Sequence, residues 1–297
     1  MTPTDIPLLL AFEDEAALAR ELAAALALPL AFVACHRFPD GELRLVLPKP
    51  LPARVLLLRG LQQPNDKLVE LLIAAPAARE WGARQLWLIA PYLAYMRQDI
   101  EFTPGEAVSQ RHIARLLAGH FERVITIDPH LHRIASLDEV MPAGTGLALS
   151  AAPLLGAWVA QQVPGALLIG PDEESAQWVR EAARAGGLDH AVGHKLRHGD
   201  HQVSLALPEL EVAGRAVVLL DDMASTGRTL IGAAQQLLAR GAASVDVAVT
   251  HALFNGDALP ALHSAGVRHV WSSNAVPHAS NAVSVAPLLA AALGQPA

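Results

Sequence analysis

The chain has 297 residues, more than one α/β core usually holds and enough for two of modest size, since single cores stop growing at roughly 250–300 residues. Hydrophobic residues make up 52% and charged residues 17%, which supplies buried cores and leaves no long polar tract of the disordered kind. A net charge of −7 gives no basic field to gather nucleic acid or an anionic membrane, so neither is expected as a partner, and any phosphate must be held by local groups.

In chain order, Met1–Phe12 lacks a basic segment and its apolar run stops at Glu13, so no secretory signal is expected. Ala16–Ala25 reads as a helix. The apolar stretch Leu22–Cys35 is interrupted by Pro29 and is too short to span a bilayer. Cys35 is the one cysteine, which excludes an internal disulfide and fits a reducing, cytoplasmic setting. Strands are predicted at Val55–Leu58, Leu86–Ala90, Val124–Ile127, Ala166–Ile169, Val217–Leu220 and Val245–Thr250. Helices are predicted at Leu68–Trp81, Ser109–Gly119, Ser175–Ala185 and Leu230–Arg240. Continuous apolar strands separated by helices imply an α/β fold with mainly parallel sheets flanked by helices on both faces. The Gly/Pro-rich segment Met141–Gly146 marks the expected boundary between domains 1–145 and 146–297.

The two halves share a layout. Val55-Leu-Leu-Leu-Arg-Gly leads to Glu80-Trp-Gly-Ala-Arg, and Val217-Val-Leu-Leu-Asp-Asp leads to Ala239-Arg-Gly-Ala-Ala. This suggests one strand–loop–helix–strand unit present twice, although any two such units look alike at this level. Arg59-Gly60 stands where the second copy has Asp221-Asp222, so only that copy keeps the acids.

The chemistry concentrates in Val217–Arg240. Four apolar residues end in Asp221 and Asp222, and Met223-Ala224-Ser225-Thr226-Gly227-Arg228-Thr229 then opens a helix. Open α/β sheets bind ligands where strand ends and helix starts meet, and the helix start offers N–H and O–H donors to a phosphate. The acids would accept hydrogen bonds from neutral hydroxyls. A phosphate at one end and a diol at the other imply a sugar phosphate. An acid followed by Ser or Thr also occurs as an ordinary helix cap, but the full string favours a binding loop. There is no Gly-x4-Gly-Lys-Ser/Thr loop for a triphosphate.

This loop resembles the phosphoribosyl-binding loop of type I phosphoribosyltransferases and of ribose-phosphate pyrophosphokinases. Four further segments resemble the pyrophosphokinases in particular: Phe38-Pro39-Asp40-Gly41-Glu42, Pro91-Tyr92-Leu93-Ala94-Tyr95-Met96-Arg97-Gln98-Asp99, Asp128-Pro129-His130-Leu131-His132, and Gly170-Pro171-Asp172 with His194-Lys195-Leu196-Arg197-His198. The resemblance implies two type I phosphoribosyltransferase-like domains and transfer of a diphosphoryl group from ATP to the 1-hydroxyl of ribose 5-phosphate. It implies ATP contacts from Phe38, Asp40, Gly41, Glu42, Arg97, Gln98 and Asp99, and an Arg fork suits a polyphosphate. Ribose 5-phosphate would be held by Arg197, Asp221, Asp222, Ser225, Thr226, Gly227, Arg228 and Thr229. His130 and Asp172 would serve Mg2+, and Lys195 and Arg197 catalysis.

By the same resemblance, the Phe38–Glu42 loop reaches the ATP site of a neighbouring subunit, so a homo-oligomer with shared sites is expected. A His-x-His pair after a strand also occurs in zinc hydrolases, but no eightfold barrel pattern accompanies it. The sequence departs from the family after Asp172, where Glu173-Glu174-Ser175-Ala176-Gln177-Trp178 follows, and beyond Arg197, in His198-Gly199-Asp200-His201. The two acids and the Trp178 ring would crowd or recharge the site if they faced it. A non-catalytic regulatory relative and a phosphoribosyltransferase remain the alternatives.

Overall fold

The structure, a computed structural model, describes residues 6–131, 133–198, 202–206 and 211–294, with backbone alone for 194–198 and 202–206. The chain divides into two units, residues 1–149 with 286–297, and residues 150–285.

The first unit opens with β1 (Leu8–Phe12), a 3-10 turn over Glu13–Glu15, α1 (Ala16–Leu26) and β2 (Leu30–Arg37), which turns back as β3 (Leu43–Val46). Then come β4 (Arg54–Leu58), α2 (Pro64–Glu80), β5 (Gln85–Ala90), α3 (Ser109–Ala118), β6 (Arg123–Ile127) and β7 (Gly146–Leu149). The sheet order is β3-β2-β1-β4-β5-β6-β7, with β3 alone antiparallel. Alternation along β1 shows why the runs are apolar throughout: Leu10 and Phe12 join the core under α2 and α3, while Leu9 and Ala11 are buried on the opposite face.

The second unit begins with α4 (Ala152–Gln162), β8 (Leu167–Gly170), a 3-10 turn over Glu173–Ser175, α5 (Ala176–Gly186) and β9 (Asp189–Val192). An antiparallel hairpin of β10 (His194–His198) and β11 (Gln202–Ala206) follows. β12 (Ala216–Ala224), α6 (Arg228–Ala239), β13 (Ser244–Ala252), α7 (Ala258–Ser264), β14 (Val267–Ser273) and β15 (Asn281–Val283) complete it. Its sheet order is β15-β14-β13-β12-β8-β9, parallel at every pairing. Val217 and Leu219 pack toward α6 and α7, Val218 and Leu220 toward α4 and α5. The last described helix, α8 (Ala286–Gly294), belongs to the first unit and packs on α1.

The two units run through the same elements. β1, its 3-10 turn, α1 and β2 correspond to β8, its turn, α5 and β9; β4–α2–β5 corresponds to β12–α6–β13. Each second half turns into its last strand on a glycine at positive φ, Gly82 at 123° and Gly241 at 85°, a conformation that strains any residue with a Cβ. The repeat is longer than the single segment legible in the sequence.

Two expectations need correction. The boundary does not fall within 141–146, because Gly146–Leu149 is a strand paired with β6, and the unit ends at Leu149. The C-terminal segment 286–294 also belongs with the first unit, where Leu289 is buried. Second, the strand predicted to end at Leu220 continues through both acids to Ala224, because its neighbour β13 is equally long and pairs with it as far as Ala252.

α5 packs closely on α4. A Cβ on Gly156 of α4 would lie 2.0 Å from the Ala182 carbonyl oxygen of α5. Gly156→Ala is therefore expected to lower unfolding free energy by roughly 1–3 kcal/mol, read from urea denaturation midpoints; an unchanged midpoint would show that the helices separate freely.

Candidate active site

Parallel strands bring their C-terminal ends to one edge, and a ligand crevice opens where the strand order reverses direction. In the second unit that point lies between β8 and β12, and in the first between β1 and β4.

The β8/β12 crevice gathers most of the expected sugar-phosphate residues. Asp172 and Asp222 each lie three positions beyond the last paired residues of their strands, Ile169 and Leu219. Asp221 and Asp222 are consecutive strand residues, so they point to opposite faces. Asp222 is 3% exposed, on the side of α4 and α5; Asp221 is half-buried, on the side of α6. Asp221 is thus the acid that shares a face with the helix start, and its Oδ1 accepts the Asp222 N–H at 3.0 Å.

Gly227 caps α6 at φ 68° and ψ 0°, a left-handed geometry natural to glycine. Thr226, Arg228 and Thr229 around it are exposed, and the first turn of α6 holds no acidic residue. The loop is pinned from β13's far end: Asn255 Nδ2 donates to Ser225 Oγ at 3.1 Å, and Asn255 N–H to the Ser225 carbonyl at 3.2 Å. Asn255 carried no signal in the sequence.

Asp172 caps the following 3-10 turn, its Oδ1 accepting N–H groups of Glu174 at 3.1 Å and Ser175 at 3.3 Å. Glu173 and Glu174 are exposed, and Trp178 joins the core between α4 and α5. The ring therefore packs inward and does not crowd the crevice. Lys195 and Arg197 lie on β10, paired in backbone register with Leu205 and Val203, and β11 lies against α6. His132 and 199–201 lie outside the described residues.

In the first unit, Arg97, Gln98 and Asp99 leave β5 and His130 leaves the adjacent β6. Arg97 is exposed and His130 half-buried. Gln98 Nε2 is held by the Ile100 carbonyl at 3.1 Å and Glu106 Oε2 at 3.0 Å. The buried Asp99 carboxylate is held by Arg133, also missed in the sequence because no motif contains it. Asp99 is thus a partner of Arg133 in this structure. Tyr95, Asp128 and His130 adopt positive φ of 65°, 39° and 55°, unusual backbone for residues with a Cβ and common where loops are shaped for a ligand. The Phe38–Glu42 turn is an exposed hairpin tip, closed by Phe38 N–H to the Glu42 carbonyl at 2.9 Å. It joins β2 to the edge strand β3, on the far side of β1 and β4 from β5, so one unit does not bring it to Arg97.

The β1/β4 crevice is lined by charged side chains that hold one another. Arg59, 4% exposed at its side chain, donates to Asp14 Oδ1 at 2.5 Å and to Glu70 Oε2, and its guanidinium carbon lies 4.3 Å from the Phe12 ring centroid. Glu15 Oε1 accepts the Gly60 N–H at 2.6 Å, and Lys67 Nζ donates to the Gly60 carbonyl at 3.1 Å. Burial pushes the Glu15 carboxyl up to about 7, despite the pull of Arg59 and Lys67. Burial also raises Glu70 and lowers Lys67; at Asp14 burial is outweighed by Arg59 and Lys67, which hold it below its ordinary value. The helix behind, α2, starts on Pro64, which has no N–H to offer, and carries Asp66 in its first turn. Asp14, Glu15, Lys67 and Glu70 already engage Arg59 and the Gly60 backbone, so the two crevices differ in chemistry.

Fold and crevice together define a protein of two similar, mainly parallel α/β units, of which the second alone carries two acids and a glycine-capped helix start at its crevice. The pattern described as the N-terminal domain of ribose phosphate pyrophosphokinase matches residues 8–120, and the phosphoribosyl synthetase-associated domain matches 207–290. A ribose-phosphate pyrophosphokinase of Methanopyrus kandleri is 38% identical over 289 residues, covering 96% of this chain and 98% of the relative. One of Halobacterium salinarum is 34% identical over 289 residues, covering 96% and 100%. The crystal structure of phosphoribosylpyrophosphate synthetase from Mycobacterium smegmatis superposes with a TM-score of 0.83 at 25% identity, covering 98% of each chain. The chain belongs to the ribose-phosphate pyrophosphokinase family.

The Glu15 carboxyl makes the charge cluster pH-sensitive. The unfolded chain ionises it near 4.5, whereas the folded chain holds the proton to about 7. Between these values the unfolded state binds fewer protons, so the stability Glu15 contributes is full below 4.5 and is lost as pH rises to about 7. Glu15→Gln is expected to gain stability relative to the parent between pH 5 and pH 8, measured by urea unfolding; a difference independent of pH would show that Glu15 ionises normally.

Proposed function

We propose that this chain transfers the diphosphoryl group of ATP to the 1-hydroxyl of ribose 5-phosphate, giving phosphoribosyl pyrophosphate and AMP. The carrying observation is the β8/β12 crevice, where half-buried Asp221 shares a face with a helix start free of acids and rimmed by exposed Thr226, Arg228 and Thr229. Ser225–Thr229 donate N–H and O–H groups to the 5-phosphate, and Asp221 accepts from the ribose hydroxyls. The buried Asp222 backs this strand end. Arg97 and Gln98 face the polyphosphate of ATP, with Asp99 supporting them.

In the reaction the ribose O1 attacks the β-phosphorus, the bond from that phosphorus to the oxygen bridging to the α-phosphate breaks, AMP departs with the electron pair, and the hydroxyl proton is lost. Such transfers depend on positioning and charge neutralisation. Lys195 and Arg197, two residues apart on one hairpin strand, supply positive charge to the transferring group, and Arg197 also meets the substrate phosphate.

Magnesium enters as part of the ATP substrate. Among the described residues no three His, Cys, Asp or Glu side chains cluster to cage a metal. A cation that keeps its waters and takes phosphate oxygens needs only one or two protein oxygens, a demand that the oriented carboxylate of Asp172 fits. His130, a nitrogen donor, fits better as a contact to the metal's water or to ATP.

The exposed Phe38–Glu42 tip on an edge hairpin supports a homo-oligomer in which Phe38, Asp40, Gly41 and Glu42 complete the ATP site of a neighbouring chain. No helix among the described residues is long and apolar enough to cross a membrane.

Incubation with ATP, magnesium and ribose 5-phosphate should yield AMP and phosphoribosyl pyrophosphate in equal amounts; ADP, inorganic phosphate or no turnover would refute the assignment. Lys195→Ala is expected to lower kcat on the order of 100- to 1,000-fold while both KM values stay within a few-fold, and a near-normal kcat would remove Lys195 from the chemistry.

A further inference from the structure

We infer that Arg133 is a positioning residue for the ATP side of the reaction, acting through Asp99; the inference rests on the functional reading above. Residues 91–108 leave β5 carrying Arg97 and Gln98, and residues 128–136 leave the neighbouring β6 carrying His130. At their base the two loops share a backbone hydrogen bond, Ile127 N–H to the Pro91 carbonyl at 3.2 Å. Farther out a side-chain pair joins them. Arg133 Nη1 donates to both carboxylate oxygens of Asp99, at 2.7 and 2.9 Å.

The burial of the pair is lopsided. The Asp99 side chain is 2% exposed and that of Arg133 46%, so the acid is the fixed point and the guanidinium closes over it from the rim. There it lies 5.6 Å from the Phe102 ring centroid and covers the outer part of the same loop. A buried carboxylate that loses its cation is strongly unfavourable, so loss of Arg133 disfavours the path that residues 97–99 take here, even though Gln110 N–H also holds the Gln98 carbonyl at 3.2 Å. Asp99 directly follows Arg97 and Gln98, and Arg133 stands three residues after His130. One ion pair therefore ties the loop that carries Arg97 to the loop that carries His130.

The opposite flank of the loop is held separately. Leu61 N–H donates to the Tyr92 carbonyl at 2.8 Å, and the Tyr95 hydroxyl donates to Asn65 Oδ1. Loss of Arg133 should thus displace the 97–99 end while 92–95 stays in place. This separates a positioning role from general destabilisation.

The test compares the parent chain with Arg133→Ala, Arg133→Lys, Asp99→Asn and the Arg133→Ala/Asp99→Asn double variant. Steady-state kinetics are combined with hydrogen–deuterium exchange of peptides covering 97–108. Arg133→Ala is expected to raise KM for ATP on the order of tenfold or more, to leave KM for ribose 5-phosphate within about twofold, and to speed exchange in 97–108 but not in 61–65. Lys at 133 should recover part of the ATP effect, and the double variant should be no worse than Arg133→Ala, because both changes break one pair. An unchanged KM for ATP, equal rises in both KM values, or additive losses would overturn the inference. If the parent chain makes no product, the functional reading fails; the clamp is then judged by exchange, and equal rates in parent and Arg133→Ala remove it.

Discussion

Parallel pairing is the constraint on which this protein depends. It delivers the C-terminal end of every parallel strand to one edge of its sheet, so residues remote in sequence become neighbours without any loop having to reach far. Asp172 stands level with Asp222 because β8 pairs with β12, and the loops that carry Arg97 and His130 leave neighbouring strands because β6 pairs with β5. Each unit reverses its strand order once along this run, which opens one crevice per unit in equivalent places.

The equivalence makes the chemical divergence informative. In the second unit the crevice keeps an acid facing a helix start whose first turn lacks negative charge. In the first, Arg59 turns inward and is engaged by Asp14 and Glu70, with Glu15 beside it. Replacing such a buried network by apolar side chains is often neutral or stabilising, so its presence is weak evidence of stability. What it does accomplish is local. The loop after β4 and the start of α2 instead support the loop that follows β5, through Leu61 to Tyr92 and Asn65 to Tyr95. The stretch that leads to an exposed helix start in one copy serves as a bracket in the other.

Much of this was legible from the residues alone. Strands buried on both faces, such as Val55–Leu58 and Val124–Ile127, announce themselves as unbroken apolar runs, and Ser225–Thr229 announces a helix start through its glycine and hydroxyls. β1 is five residues long and was hidden against acidic Glu13–Glu15; the half-exposed β2 and β3 carry too little apolar pattern to stand out. That Asp221 and Asp222 are strand residues with opposite faces follows from the length of β13, a partner whose register no local pattern reveals. Arg133 and Asp99 are 34 positions apart, and Arg59 and Asp14 are 45 apart, so neither pair forms a motif. Long-range ion pairs are decided by topology, and topology is what single-sequence periodicity lacks.

We propose that duplication left one sugar-phosphate site per chain, in the second unit. Titration of ribose 5-phosphate into the full chain, followed by calorimetry, tests it most directly. One equivalent should bind per chain, and Thr229→Ala with Asp221→Asn should abolish that binding while Arg59→Ala leaves the stoichiometry at one. Two equivalents per chain, or binding that survives the loss of Asp221 and Thr229, would contradict it.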